Sequence, residues 1–194
     1  TIDRRDFLKT TAAAGLALGS RSLGASAGGA NDLRVALVGA GNQGMVLLES
    51  CQKIPNIRIT ALCDIWKEYR QKYVSGRLRI YGHEHTAYVD IHEMLDKEKG
   101  RLDAAIIATP DFWHAEHAIA CLNAGLHVYC EKEMSNTLED ARRIVVAARA
   151  SGKLLQVGHQ RRSNPRYRFS YQKLLREASL LGRITTVNGQ WNRS

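Results

Sequence analysis

The chain has 194 residues, of which 44% are hydrophobic and 24% charged, and it carries a formal net charge of +9. That length admits one ordinary domain with a substantial core, or one domain and a piece of another, while the composition excludes a disordered tail and a membrane bundle. The positive balance raises the question of nucleic acid, but no nucleic-acid-reading motif accompanies it, and much of the charge gathers in Arg161, Arg162, Arg166, Arg168, Lys173 and Arg176 near the C-terminal end.

The first 27 residues read as an address. Asp3-Arg4-Arg5-Asp6-Phe7-Leu8-Lys9 is a charged start, Thr10 to Gly19 a mildly apolar run, and Ala25-Ser26-Ala27 an A-x-A-like cleavage site. About ten apolar residues are too few for a bilayer core, which takes roughly twenty, so no stable membrane anchor is expected here. Two adjacent arginines before Phe-Leu-Lys, with an Ala- and Gly-rich run behind them, resemble a twin-arginine signal more than a Sec signal. The resemblance implies the twin-arginine export machinery as a partner and a periplasmic or extracellular destination. The competing reading is an amphipathic helix that happens to begin with Arg-Arg.

From Leu33 the pattern alternates strand and helix, as βαβ units of a parallel sheet do. Strands are predicted at 33–38, 57–63, 103–108, 126–130 and 154–157, with a short one at 86–89. Helices are predicted at 43–53, 66–74, 91–95, 113–123 and 138–150. Pro55-Asn56 should break the first, Gly125 end the fourth, and Thr137 and Gly152 cap the last. Together they predict an α/β fold with a doubly wound parallel Rossmann sheet over 33–158. Asn164-Pro165 then opens a helix over about 166–178, and 183–191 alternates like an exposed strand. Residues 163–194 are therefore expected to begin a second, α+β substrate domain that is cut short.

Gly39-Ala40-Gly41-Asn42-Gln43-Gly44 matches G-x-G-x-x-G directly after a strand and at the opening of a helix, which is the context the motif requires. Gly39 would permit the tight turn, Gly41 the approach of a pyrophosphate, and Gly44 close packing of helix on strand. The helix N-terminus would offer N–H groups to the phosphates. Asp64 lies about twenty residues beyond Gly44 at the end of the second strand, where a carboxylate accepts from ribose hydroxyls. NAD is therefore expected over NADP, a preference that Lys67 and Arg70 could soften.

Two further motifs follow strands: Ala108-Thr109-Pro110-Asp111-Phe112-Trp113-His114, and Gly125-Leu126-His127-Val128-Tyr129-Cys130-Glu131-Lys132. With the glycine turn, and with Gly158-His159-Gln160-Arg161-Arg162-Ser163-Asn164-Pro165 after the last strand, they resemble the Gfo/Idh/MocA oxidoreductases. In that family T-P-x-x-x-H and a later E-K-P are characteristic. The resemblance implies that Lys132 is the catalytic lysine, holding the substrate hydroxyl and the nicotinamide ribose. It implies that Glu131 braces the cofactor, that Thr109, Pro110 and His114 line the ribose and nicotinamide, and that Gln160 and Arg161 reach toward substrate at the mouth. It further implies a carbohydrate substrate, acid–base residues in the second domain beyond Ser194, and a homo-oligomer formed through that domain. Glu133 departs from the pattern, since the family has proline there. It leaves the backbone less constrained and could pair with Lys132.

An exported enzyme of this kind should carry its dinucleotide with it, because the soluble cofactor is scarce outside the cytoplasm. Recycling could proceed by oxidising one sugar and reducing another. It could also proceed by transient oxidation of a glycoside with no net redox change. A dehydrogenase with exchangeable NAD and a non-catalytic dinucleotide-binding protein stay open as alternatives. Cys51, Cys63, Cys121 and Cys130 have no metal or C-x-x-C spacing and read as small buried hydrophobes. His83-x-His85 with His92, and His114-x-x-His117, do not match the zinc-protease pattern, so no metal is expected.

Overall fold

The computed structural model describes residues 32–190 of the chain. The signal expected at 1–27 lies outside the described residues. Six strands, β1 (Leu33–Val38), β2 (Ile57–Cys63), β3 (Thr86–Tyr88), β4 (Ala104–Ile107), β5 (His127–Glu131) and β6 (Leu155–Gly158), make one sheet in the order β3-β2-β1-β4-β5-β6. Every neighbouring pair is parallel. Parallel neighbours need a crossover, and the helices supply it: α1 (Asn42–Cys51), α2 (Lys72–Ile80), α3 (Ile91–Lys97), α4 (His114–Asn123) and α5 (Leu138–Ser151).

Side chains along β1 alternate between two cores, as the period of a strand dictates. Val35 and Leu37 join Leu48 of α1, Ile59 and Leu62 of β2, and Val74 and Leu78 of α2. Ala36 and Val38 join the opposite core with Ile107, Met94 of α3, Leu122 of α4 and Ile144 of α5. Leu37, Leu48, Ile59 and Leu62 are each fully buried, and each such side chain contributes about 1.5–3 kcal/mol. Both faces of β1 are therefore covered, and its sequence reads as a continuous apolar run.

Local chemistry sets the helix ends. Thr137 Oγ1 accepts from the Asp140 N–H at 3.1 Å, and Gly152 closes α5 in the left-handed conformation. Asp90 caps α3 by accepting from the Glu93 N–H. Where β3 has not yet begun beside β2, the Ile59 N–H donates to Nδ1 of the buried His83 at 3.1 Å. The imidazole thus extends the ladder beyond the last strand-to-strand bond.

Two expectations need correction. The helix predicted at 66–74 opens instead as a π turn, Lys67–Gln71, and continues as α2 to Ile80. Ser75 and Gly76 do not stop it, because Val74 and Leu78, four residues apart, are both buried in the same core and hold the turn between them. The strand predicted at 183–191 is absent over 183–190. No described strand lies beside those residues, and an alternating segment without a ladder partner gains nothing from being extended; Trp191 lies outside the described residues. The helix after Asn164 does form, as α6 (Pro165–Phe169), running on into a π-helical stretch, Ser170–Glu177.

Candidate functional site

The strand order reverses between β1 and β4, and the crevice beyond the carboxyl ends at such a switch point is where open α/β sheets bind ligands. A cavity of about 740 Å³ opens there between the turns that follow β1, β2, β3 and β4. Gly39, Gly41, Asn42, Gln43, Asp64, Arg70, Thr109, Pro110, Trp113 and His117 all contribute to its wall.

The three glycines of the first turn do different work. Gly39 has φ +94°, and a Cβ there would stand 2.7 Å from the Ala108 carbonyl carbon and the Thr109 nitrogen. A Cβ on Gly44 would stand 2.1 Å from the Gly39 carbonyl oxygen. These two glycines therefore fasten the turn to β4 and to the start of α1. At Gly41 the nearest atom is Nη1 of Arg70, at 3.4 Å, and the side a Cβ would occupy is otherwise open. Gly41 is the N-cap of helix α1, which has no side-chain cap and no acidic residue in its first turn. Its leading N–H groups are left for an anion, and the donors present here fit the pyrophosphate of a dinucleotide.

Asp64 braces the same turn. Its Oδ2 accepts from the Ala40 N–H at 2.7 Å and its Oδ1 from the Trp66 N–H at 2.8 Å. A carboxylate has about four acceptor positions, so capacity remains for hydroxyl donors from the cavity.

Beyond β4, Thr109 Oγ1 lies 3.1 Å from Nδ1 of His117, and the His117 ring stacks on Trp113 with centroids 5.5 Å apart. Burial pushes the His117 imidazole below its ordinary pKa, with Glu116 opposing in part. His114 is placed differently. It is buried and outside the cavity lining, with Nδ1 2.5 Å from the Glu133 carbonyl oxygen and Nε2 2.8 Å from that of Thr109. It thereby sits between the β4 turn and the β5 turn, within hydrogen-bond distance of a main-chain oxygen of each.

At the end of β5, the buried Glu131 accepts from Gln43 Nε2 at 3.0 Å, from the Tyr129 hydroxyl at 3.3 Å and from the Lys132 N–H at 3.2 Å. Burial, reinforced by Glu131, pushes the Tyr129 phenol up to about 12. Gly158 of β6 pairs with Glu131, and a Cβ on it would stand 2.2 Å from the Tyr129 hydroxyl. Only glycine leaves room for that phenol. Gln43, in the first turn of α1, thus connects the glycine turn to the backbone of Lys132.

Lys132 is exposed, the Lys132–Glu133 peptide is cis, and no ion pair joins these two side chains. Gln160 and Arg161 sit in the exposed turn after β6, outside the cavity lining, and Arg161 donates to the Tyr167 hydroxyl at 3.1 Å. His117, which the sequence offers only as half of a His-x-x-His pair, is in the lining. So is Trp66, which carries no motif at all.

Strand order and glycine turn together define the class: this is a dinucleotide-binding Rossmann domain. Residues 33–159 match the model of the oxidoreductase family with an NAD-binding Rossmann fold, Gfo/Idh/MocA, and the chain belongs to that family. Residues 1–19 match the model of the twin-arginine translocation pathway signal sequence.

Among curated relatives, the chain is 32% identical over 143 residues to a 4-carboxy-2-hydroxymuconate-6-semialdehyde dehydrogenase from Sphingobium, covering 74% of this chain and 43% of that protein. It is 27% identical over 165 residues to a glycosyl hydrolase family 109 protein from Solibacter usitatus, covering 76% and 36%. Among solved structures, it superposes on a myo-inositol 2-dehydrogenase from Lactobacillus plantarum with TM-score 0.67 and 27% identity, covering 79% and 43%. The WlbA dehydrogenase from Bordetella pertussis, solved with NADH and UDP-GlcNAcA, gives TM-score 0.64 and 28% identity over 78% and 43%. The chain therefore spans less than half the length of the proteins it matches.

Proposed function

We propose that the chain is the cofactor-binding part of an exported, NAD-dependent oxidoreductase that acts on a hydroxyl-bearing carbon of a sugar, polyol or glycoside. Residues 33–158 form the cofactor domain in this reading, and 163–194 begin the substrate domain. The observation that carries the reading is the Gln43–Glu131–Lys132 chain, which joins an anion cradle to a lysine that makes no ion pair among the described residues.

A bound nicotinamide dinucleotide supplies a two-electron hydride acceptor or donor. The residues of the chain hold and aim the reactants around it. Gly39, Gly41 and Gly44 with the first N–H groups of α1, at Asn42 and Gln43, receive the pyrophosphate, and Asp64 accepts from the ribose hydroxyls. A 2′-phosphate would meet the Asp64 carboxylate, which favours NAD over NADP. Thr109 and Pro110 flank the cofactor from the β4 side, and His114 holds their turn in place. Lys132 Nζ holds the substrate hydroxyl and takes up or returns its proton as the carbon is oxidised or reduced. Glu131 fixes the backbone from which Lys132 projects, while Gln160 and Arg161 face substrate at the mouth.

Folded export and scarcity of cofactor outside the cytoplasm together require that the dinucleotide stay bound and be restored within each catalytic cycle. The test is to purify the protein without added nucleotide, denature it and assay the supernatant for NAD and NADH. Stoichiometric release is the expected result. A protein that emerges empty and binds NAD reversibly would refute the closed cycle and leave an ordinary dehydrogenase. A second reading, a glycosidase that oxidises and re-reduces its substrate, is favoured by the likeness to the Solibacter protein. Release of free sugar from a glycoside with no accumulation of NADH would distinguish it.

A further inference from the structure

The guanidinium of Arg70 lines the cavity, yet it makes no ion pair or hydrogen bond among the described residues. Two contacts fix where it lies. Its Cζ sits 5.6 Å from the centroid of the Trp66 indole. Its Nη1 stands 3.4 Å from the point where a side chain of Gly41 would begin.

The backbone beneath it is the π turn Lys67–Gln71, in which the Gln71 N–H reaches back to the Trp66 carbonyl at 3.2 Å. The neighbouring Gln71 is buried, and its Nε2 donates to the Tyr88 carbonyl at 2.6 Å, at the end of β3. The wide turn lets Gln71 point inward as an anchor while Arg70, beside it in sequence, faces the glycine turn. Single π turns recur at functional sites.

Resting on the reading of this cavity as a dinucleotide site, we propose that Arg70 is a second phosphate ligand, closing over Gly41 on the cofactor pyrophosphate that the N-terminus of α1 receives. The alternative role for a basic residue shortly after Asp64 is to receive a 2′-phosphate. Such a residue would stand beside the carboxylate that holds the 2′-hydroxyl, but no ion pair joins Arg70 to Asp64, whose oxygens turn to the Ala40 and Trp66 N–H groups. Arg70 stands over Gly41 instead, where the backbone leaves space for the phosphates. Stacking on Trp66 holds the planar fork in place, so little side-chain freedom is lost when an anion arrives.

The experiment is calorimetric titration of the chain, freed of co-purified nucleotide, and of its Arg70→Gln and Arg70→Lys variants, with NAD, NADP, ADP and adenosine. Circular dichroism verifies that each variant is folded. Arg70→Gln should weaken NAD and ADP together, on the order of ten- to a hundredfold for a lost charge-assisted contact, leave adenosine unchanged and leave the NADP-to-NAD ratio unchanged. Arg70→Lys should recover part of the loss, because it keeps the charge without the fork. Equal loss for adenosine, or loss confined to NADP, would overturn the proposal. A folded wild-type chain that binds none of the four ligands would remove the dinucleotide reading itself. Wild-type binding with an unchanged Arg70→Gln variant would remove only the role of Arg70.

Discussion

Replacing Gly44 by alanine sets two effects of opposite sign against each other. Alanine is the better helix former by about 1 kcal/mol, and Gly44 lies in α1. Against this, the new methyl would stand 2.1 Å from the Gly39 carbonyl oxygen, where ordinary contact begins at 3.4 Å, so helix and turn must part by more than about 1 Å. Overpacking of that kind costs about 1–3 kcal/mol, and the obstacle is backbone, which cannot swing aside as a side chain can. The cost exceeds the gain, and Gly44→Ala should lower stability by up to about 2 kcal/mol, or several degrees in Tm. Gly76 is the matched control. It lies inside α2 with nothing within 4 Å of its would-be Cβ, so Gly76→Ala should raise stability by about 0.5–1 kcal/mol. Thermal and urea unfolding of both variants, followed by circular dichroism, give the comparison. If Gly44→Ala proves as stabilising as Gly76→Ala, the glycine turn is not rigidly seated on α1 and the packing argument fails.

The His83 imidazole is held below its ordinary pKa by burial, then by Arg58 and His85. Its Nδ1 must stay unprotonated to accept from Ile59. Below about pH 6.5 the unfolded chain takes up a proton that the folded one refuses, so stability should fall from that pH down to the folded pKa and be independent of this group above it. His117, lowered for the same chief reason, adds to the slope. His83→Asn should therefore flatten part, not all, of the decline in urea midpoint between pH 7.5 and 5.5. The four cysteines are free and buried, and burial pushes Cys63, Cys121 and Cys130 up to about 12. Against a starting value of 9.0, their thiolate fraction at pH 8 drops by about a thousandfold. A thiol reagent should leave the native protein almost unlabelled and reach all four in urea; rapid labelling of the native protein would contradict the burial.

The parallel sheet was legible because β1, β2, β4 and β5 are buried on both faces and so read as apolar runs, and because glycine caps such as Gly152 mark helix ends by their backbone requirement. The course of the chain between Asp64 and β3 was not. Ser75 and Gly76 carry the composition of a break, and only the packing of Val74 and Leu78 overrides it. No residue type announces a π turn, so the outlook of Arg70 toward Gly41 could not be read from spacing. The alternation over 183–190 was real, but a strand is a relation between two segments, and one segment cannot reveal whether its partner is there. His114 belongs to a recognisable motif, yet its partners are carbonyl groups, which every residue carries and no sequence pattern displays.

The use His114 makes of the main chain bears on the departure at residue 133. Its ring meets the carbonyl oxygens of Thr109 and Glu133, not their side chains. A staple of this sort is blind to what those side chains are. Glu133 takes part through its main-chain oxygen, which a residue of any type at that position carries. The clasp between the turns that follow the fourth and fifth strands thus asks for an imidazole at 114 and nothing of the side chain at 133.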